Sequence, residues 1–388
     1  MTKPNSNFDA AIVGGGVFGL WIARQCAAAG LRTCLVDKAK PGSGASGGLL
    51  GALMPHIPDR WNAKKQFQFE ALCALPGLVA DLEAETGIAS GYRRTGRLMP
   101  IRNPQFRDQV DDQHDGSKIF WRESGLDLRL ERLDGAEPNN WLDAGAAPLG
   151  FMRETLAARI NPRAYLAALS ASVRKTCTVL EGFEVAAVDS AAGTLQSAGG
   201  ETLQAERIVL TAGYESFALL HALTGVTLGK GVKGQAVMLE TREDPASPIL
   251  FDDGTYIIVH DDGRTAVGST AEPEWSDATR PDPSRNAFLT KAHALVPRLK
   301  DAPVVEWWAH VRPKTREREP IVGVLPGHPR IIAATGGFKI SFGIAHKIAD
   351  AVVAVMAGQT PNLPETFTTA HHFEKARLRT EKQAAAAD

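Results

Sequence analysis

Three glycines, Gly14, Gly16 and Gly19, stand in the spacing G-x-G-x-x-G, directly after the apolar run Phe8–Val13 and directly before a stretch of helical character from Val17 to Ala29. Each glycine answers a separate demand. The first permits a tight turn, the second lets backbone approach a pyrophosphate, and the third lets helix and strand pack closely. Phosphates at a helix N-terminus meet free N–H groups and the positive end of the dipole, so Val17 and Phe18 join the glycines as expected contacts. Gly30 closes the helix, Leu31–Val36 forms a second apolar run, and Asp37 ends it. An acid about 20 residues past the glycines is placed to accept hydrogen bonds from ribose hydroxyls, with Lys38 beside it. The chemistry of this stretch is dinucleotide binding, and its spacing alone does not choose the dinucleotide.

A second glycine-rich loop follows, GSGASGGLLGALMP, spanning Gly42 to Pro55. Glycines here let backbone lie against a flat cofactor without side-chain obstruction. The loop resembles that of the D-amino-acid oxidase and glycine oxidase family of flavoproteins, where a GAS-containing segment follows the acid of the second strand and lies against the flavin. The resemblance implies noncovalent FAD, with Gly44, Ala45, Ser46, Gly51 and Leu53 among its contacts. It continues in the family's order through VLTAG at 209–213, VKGQ at 232–235, TYIIV around Tyr256, VGST at 267–270, WWAHVRP at 307–313 and TGGFKISFG at 335–343. Ala212 and Gly213 of the first segment, and Gly336, Gly337, Phe338, Lys339 and Ile340 of the last, are the implied later contacts with FAD.

The resemblance also implies a reaction: hydride leaves the carbon bearing an amine for flavin N5, and the resulting imine hydrolyses. Such chemistry needs orientation more than acid or base, and a bidentate arginine on a substrate carboxylate supplies it. Arg312 is the expected anchor and Tyr256 the expected second hydrogen bond. A structural pairing of Arg312 with Glu317 or Glu319 is the bland alternative, as is a core position for Tyr256. Trp308, His310 and Arg312 alternate, so they share one face if the segment is a strand. His310 stands where the resembling W-A-G-L-R-P element has glycine, which puts glycine itself in doubt as substrate. It is a candidate for proton transfer beside its plainer role as a packed histidine. Lys339 lies in a loop that departs from the G-H-F-R-N-G form, and serves flavin, substrate or solvent. His56 matches no covalent flavin link.

These residues require particular elements. The N-terminal strand, helix and strand form one βαβ unit, and Asn161-Pro162 suit the start of a helix reaching Val173. Alternating segments then run from Val179 to Leu210, with turns at Gly193 and Gly199-Gly200. Thr255–Val259 and Thr265–Ser269 read as an antiparallel hairpin around Asp261-Asp262-Gly263. Phe288 to Val296 has helical spacing, Ile331–Ala334 is a strand, and a last helix is expected over Ile344–Met356. Its N-terminus would stabilise an anionic reduced ring if it faced the flavin pyrimidine edge. The tail His371–Asp388 is expected to be helical or frayed, with His371-His372 a solvated pair. The fold class is α/β: a Rossmann-type FAD-binding domain from 1–60, 155–225 and 311–370, and an α+β substrate domain on an antiparallel sheet from 61–154 and 226–310.

Composition narrows the class of partner. The 388 residues carry 43 Lys and Arg against 44 Asp and Glu, so no global positive field draws the chain to nucleic acid or anionic membrane. Cys26, Cys34, Cys73 and Cys177 form no C-x-x-C pair, which fits apolar filler in a reducing, cytoplasmic setting. No apolar run of about 20 residues suggests a membrane span, and no histidine pattern suggests a metal site. The expected activity is oxidation of the C–N bond of an amino acid or secondary amine, with oxygen, a quinone or a carrier protein taking the electrons. Three alternatives stay open: a tRNA wobble-uridine modification type acting on a glycine-like amine, an FAD-binding subunit of a heteromeric dehydrogenase, and a nicotinamide dehydrogenase. Side chain, stereochemistry and oligomeric state are not written in the sequence.

Overall fold

Apolar residues fill both faces of Phe8–Val13 and Thr33–Asp37, as strands covered on two sides require. In the computed structural model, which describes residues 8–137 and 139–385, these strands pair in parallel with Ile12 opposite Leu35. Helix Val17–Ala28 connects them and buries Leu20, Trp21, Ile22 and Ala23 completely. The long strand Thr202–Leu210 joins the other side, Ile12 opposite Val209, and is itself followed by His328–Thr335 in parallel and Ile321–Leu325 in antiparallel. Thr178–Glu181 extends the opposite edge beside Thr33–Asp37. The expected Rossmann-type sheet is therefore present, with the Val185–Asp189 and Thr194–Ser197 hairpin appended to Thr202–Leu210. Pro162 opens the helix ending at Thr176, where the Asn161 side chain accepts the Arg163 and Ala164 amides.

The chain divides into two compact units. The first holds residues 1–47, 166–232 and 311–388, and the second 48–165 and 233–310. Residues 48–60 and 155–165 group with the second unit: Ala52–Leu53 pairs with Ala158–Arg159, and the segment 155–165 bonds Arg93 and Gly96 of that unit. The second unit is built on an eight-stranded sheet. Its ladders are antiparallel from Gly229–Leu239 through Thr265–Gly268, Thr255–Val259 and Ile249–Asp252, and a parallel pairing of Ile249–Asp252 with Arg97–Pro100 leads to two further antiparallel strands. Helix Asn286–Leu295 packs Phe288, Ala292 and Leu295 into its core. One ion pair of this unit, Arg97 with Glu154 at 3.1 Å, is buried on both sides.

Three features differ from expectation. The helix expected over Ile344–Met356 begins at Ser341, so Ser341, Phe342 and Gly343 form its first turn, Ile340 is its N-cap and Lys339 lies two residues before it. The tail is a helix, Thr369–Ala385, and His372 is not solvated. It is 1% exposed, within 3.0 Å of the Pro320 carbonyl, because this helix lies against the Ile321–Leu325 strand. Two helices, Ala63–Thr86 and Pro104–Phe120, occupy a region whose sequence shows no clear helical stripe. The first carries Pro76 in its interior and the second is mostly polar, which blurs the helical stripe.

Candidate cofactor and substrate site

The glycine turn is packed to the limit of backbone. A Cβ on Gly14, whose φ is +104°, would stand 2.6 Å from Ala212 Cα, and one on Gly19 would stand 1.9 Å from the Gly14 carbonyl oxygen. Thr211 explains the closeness: its hydroxyl bonds the Val13 and Gly14 carbonyls, each at 2.8 Å. The VLTAG segment thus serves first as a latch under the G-x-G-x-x-G turn. Thr335 repeats the device from the next strand by donating to the Gly213 carbonyl at 2.8 Å.

Asp37 closes the turn from the other side. Its Oδ2 accepts the Gly15 amide at 2.7 Å and its Oδ1 accepts the Ala39 amide at 2.8 Å. A carboxylate accepts about four hydrogen bonds, so capacity remains for ribose hydroxyls. Lys38 forms an ion pair with Glu215 instead of pointing free, and this partner holds its ammonium above the usual lysine range.

The second glycine loop folds onto the first. Gly42 donates its amide to the Gly15 carbonyl at 2.8 Å, and Ser46 Oγ accepts the Val17 amide at 3.1 Å at the first turn of helix Val17–Ala28. That helix starts at Gly16 with no side-chain cap and no acid in its first turn. An acid-free N-terminus whose N-cap is a glycine, beneath two glycine loops, fits an anionic pyrophosphate, and a Cβ would crowd the cradle at several points. The residues present therefore fit FAD as the sequence requires. The closing segment joins the same region, since a Cβ on Gly337 would meet Phe18 at 2.6 Å and Phe18 is buried. Gly14, Gly16, Val17, Phe18, Gly19, Asp37, Ser46, Ala212, Gly213, Gly336 and Gly337 all belong to the first unit, with Gly44, Ala45, Phe338, Lys339 and Ile340. Gly51 and Leu53 belong to the second, where Gly51 packs on the Ile160 carbonyl and Leu53 is buried.

The candidate substrate residues lie on two strands. Val304–Thr315 is one continuous strand, which puts Trp308, His310, Arg312 and Lys314 at alternate positions on one face. Trp308 and His310 stack at 6.3 Å in the second unit, and Gly48 is bare beneath the Trp308 ring. Tyr256 is half-buried on Thr255–Val259, with its ring 4.8 Å from Phe251. Arg312 and Lys314 belong to the first unit. Glu317, one of the suspected partners of Arg312, pairs with Arg379. Lys339 is pulled down to about 8, first by burial and then by Arg312 and Lys314. Lys314 carries one signal in the sequence, its spacing of two from Arg312.

A model of the family described as FAD dependent oxidoreductase matches residues 9–351. The glycine oxidase of Bacillus licheniformis is 26% identical over 373 residues, covering 90% of this chain and 93% of that protein. The glycine oxidase of Pseudomonas aeruginosa is 28% identical over 364 residues, at 90% and 95% coverage. The crystal structure of glycine oxidase from Geobacillus kaustophilus superposes with a TM-score of 0.82 at 25% identity, covering 93% of this chain and 98% of that one. A glycine cradle tied by the acid that ends the second strand, and a match along nearly the whole length, lead to one placement: the chain belongs to the DAO family of FAD-dependent oxidoreductases.

Proposed function

We propose that this FAD-dependent oxidoreductase oxidises the C–N bond of an amino acid or secondary amine, with Arg312 holding the substrate carboxylate. The observation that carries the reading is that the charge of Arg312 is felt at half-buried Lys339, two residues before helix Ser341–Met356, in the unit that bears the FAD cradle. A guanidinium gives two parallel hydrogen bonds to a carboxylate and fixes both distance and angle. Bound FAD supplies the hydride acceptor. The chain's own residues then orient: within the unit that bears the cradle, Arg312 holds the carboxylate. The near-full-length similarity to glycine oxidases supports this reading over the tRNA-modifying, subunit and nicotinamide alternatives.

The test is anaerobic. Pools of glycine, N-alkyl glycines, D-amino acids and L-amino acids are added to the FAD-loaded protein while the flavin absorbance is followed. Bleaching by one pool names the substrate class, and readmitted air that restores the colour with peroxide release assigns oxygen as acceptor, whereas recovery only with a quinone assigns a dehydrogenase. A yellow protein that no amine bleaches overturns the proposal. Arg312→Ala should lower kcat/KM by about a hundredfold or more, since two charged hydrogen bonds at roughly 1.5 to 3 kcal/mol each are lost.

A further inference from the structure

We propose that the substrate carries two anionic groups, as a dicarboxylic amino acid or amine does, and that Lys314 is the residue that selects for the second. The inference rests on the amine-oxidising reading and deepens it. One carboxylate is satisfied by one arginine fork. Here the first unit assembles three half-buried cations, Arg312, Lys314 and Lys339, at one corner.

The corner is rigid. Gly229 lies so close to the Lys314 backbone that a Cβ would stand 2.7 Å from the Lys314 carbonyl oxygen, and the Arg316 amide bonds the Leu228 carbonyl at 2.9 Å. Thr315 packs on Gly336, where a Cβ would come within 2.4 Å of its methyl group, and its hydroxyl bonds the Glu319 backbone on both sides of the following turn. The end of the strand and the loop before the helix are thereby held against each other. Across this seam the Lys314 Nζ stands 5.6 Å from the centroid of the Phe338 ring and the Lys339 Nζ 6.0 Å from the same centroid.

Phe338 holds its ring there with a left-handed backbone, φ +45°, a conformation that side-chain-bearing residues adopt only where their surroundings compel it. The helix that follows has no acid in its first turn, so its dipole adds to the same positive field. Like charges drawn together raise each other's cost, and Lys339 is lowered first by burial and then by Arg312 and Lys314. An anion bearing one charge offsets part of this, and a dianion offsets more. Lys314 is two positions beyond the carboxylate anchor on the same strand, about 7 Å along it, a spacing that suits a second carboxylate on the same molecule.

The experiment uses FAD-loaded protein and ligands that cannot be oxidised, so that no turnover is needed. Acetate and propionate are compared with malonate and succinate by perturbation of the flavin spectrum, in native protein and in Lys314→Met and Lys314→Arg. The expected result is dicarboxylate binding tighter by at least about tenfold in native protein, a preference lost in Lys314→Met and kept in Lys314→Arg. Equal binding of the two ligand classes by native protein overturns the inference, as does a preference that survives Lys314→Met. A Lys314→Met protein that loses FAD affinity while keeping the ligand preference assigns the cluster to the cofactor and also overturns it. Should Lys314→Met fail to fold, the native comparison and Lys314→Arg decide. Failure of every amine to bleach the flavin would sink the amine-oxidising reading, whereas bleaching without dicarboxylate preference sinks this inference alone.

Discussion

The Asp37 carboxylate accepts the Gly15 amide at 2.7 Å, which ties the acid ending the second strand to the glycine turn ending the first. Asp37 is therefore both a strut for the turn and the expected ribose acceptor. Asp37→Ala should weaken FAD binding by about one to two powers of ten, because a charged hydrogen bond is worth roughly 1.5 to 3 kcal/mol. Titration of the apoprotein with FAD, followed by quenching of flavin fluorescence, measures it. Unchanged affinity would remove Asp37 from the site.

Gly19→Ala separates packing from contact. Its Cβ would fall 1.9 Å from the Gly14 carbonyl oxygen and 2.8 Å from Thr211 Oγ1, and the first neighbour is backbone that cannot swing away. Overpacking of this kind costs about 1 to 3 kcal/mol. The apoprotein should melt lower and the variant should bind FAD poorly, both read by thermal unfolding with and without FAD. A variant as stable as the parent would mean the helix can move off the strand.

The strand–turn–helix–strand from Phe8 to Asp37 was legible because every signal there is local: an apolar run, glycines at fixed offsets, an acid at the end of a strand. What was not legible depends on distant partners. Gly42 bonding Gly15, Ser46 accepting from Val17 and Thr211 latching Gly14 each join residues far apart in sequence. His372 looked solvated beside His371 in a charged tail, and only the docking of that tail helix on the Ile321–Leu325 strand buries it. Ser341–Gly343 looked like loop because glycine lowers helix propensity, yet tertiary packing extends the helix through them. Lys314 carried no motif, and its meaning arises from Phe338 across the seam.

Acid should destabilise the fold through buried histidines. His56, His346 and His372 are each pushed down to about 4, burial being the largest cause in all three. A folded-state value below the unfolded one, near 6.5, means the unfolded chain binds the proton first. The stability these neutral rings contribute is complete above about pH 6.5 and is lost as pH falls toward about 4, at roughly a kcal/mol per pH unit for each. His346 is the clearest case, 2% exposed between two helices, edge-on to Trp21 at 5.8 Å, with neither ring nitrogen hydrogen-bonded. His346→Leu should flatten the fall in urea-unfolding free energy between about pH 6.5 and 4, and should not reduce stability at neutral pH, because an unsatisfied polar ring is replaced by an apolar side chain. An unaltered slope would mean His346 protonates in the folded protein as readily as in the unfolded one.

Lys339 gives the opposite limb of the pH profile. In the ligand-free protein its ammonium loses its proton near pH 8, since burial and the charges of Arg312 and Lys314 all disfavour the cation. A bound carboxylate favours the cation and pulls that value back up, so binding above about pH 8 takes up a proton. The dissociation constant of propionate should then be flat from about pH 6.5 to 8 and rise by up to about tenfold per pH unit beyond, until the ligand-bound value is reached. Arg312 stays charged throughout, so residual affinity persists at high pH. Lys339→Met should bind more weakly at neutral pH and lose the alkaline rise. A rise that survives in Lys339→Met would assign the titration to another group, and a flat profile in native protein would place Lys339 away from the anion.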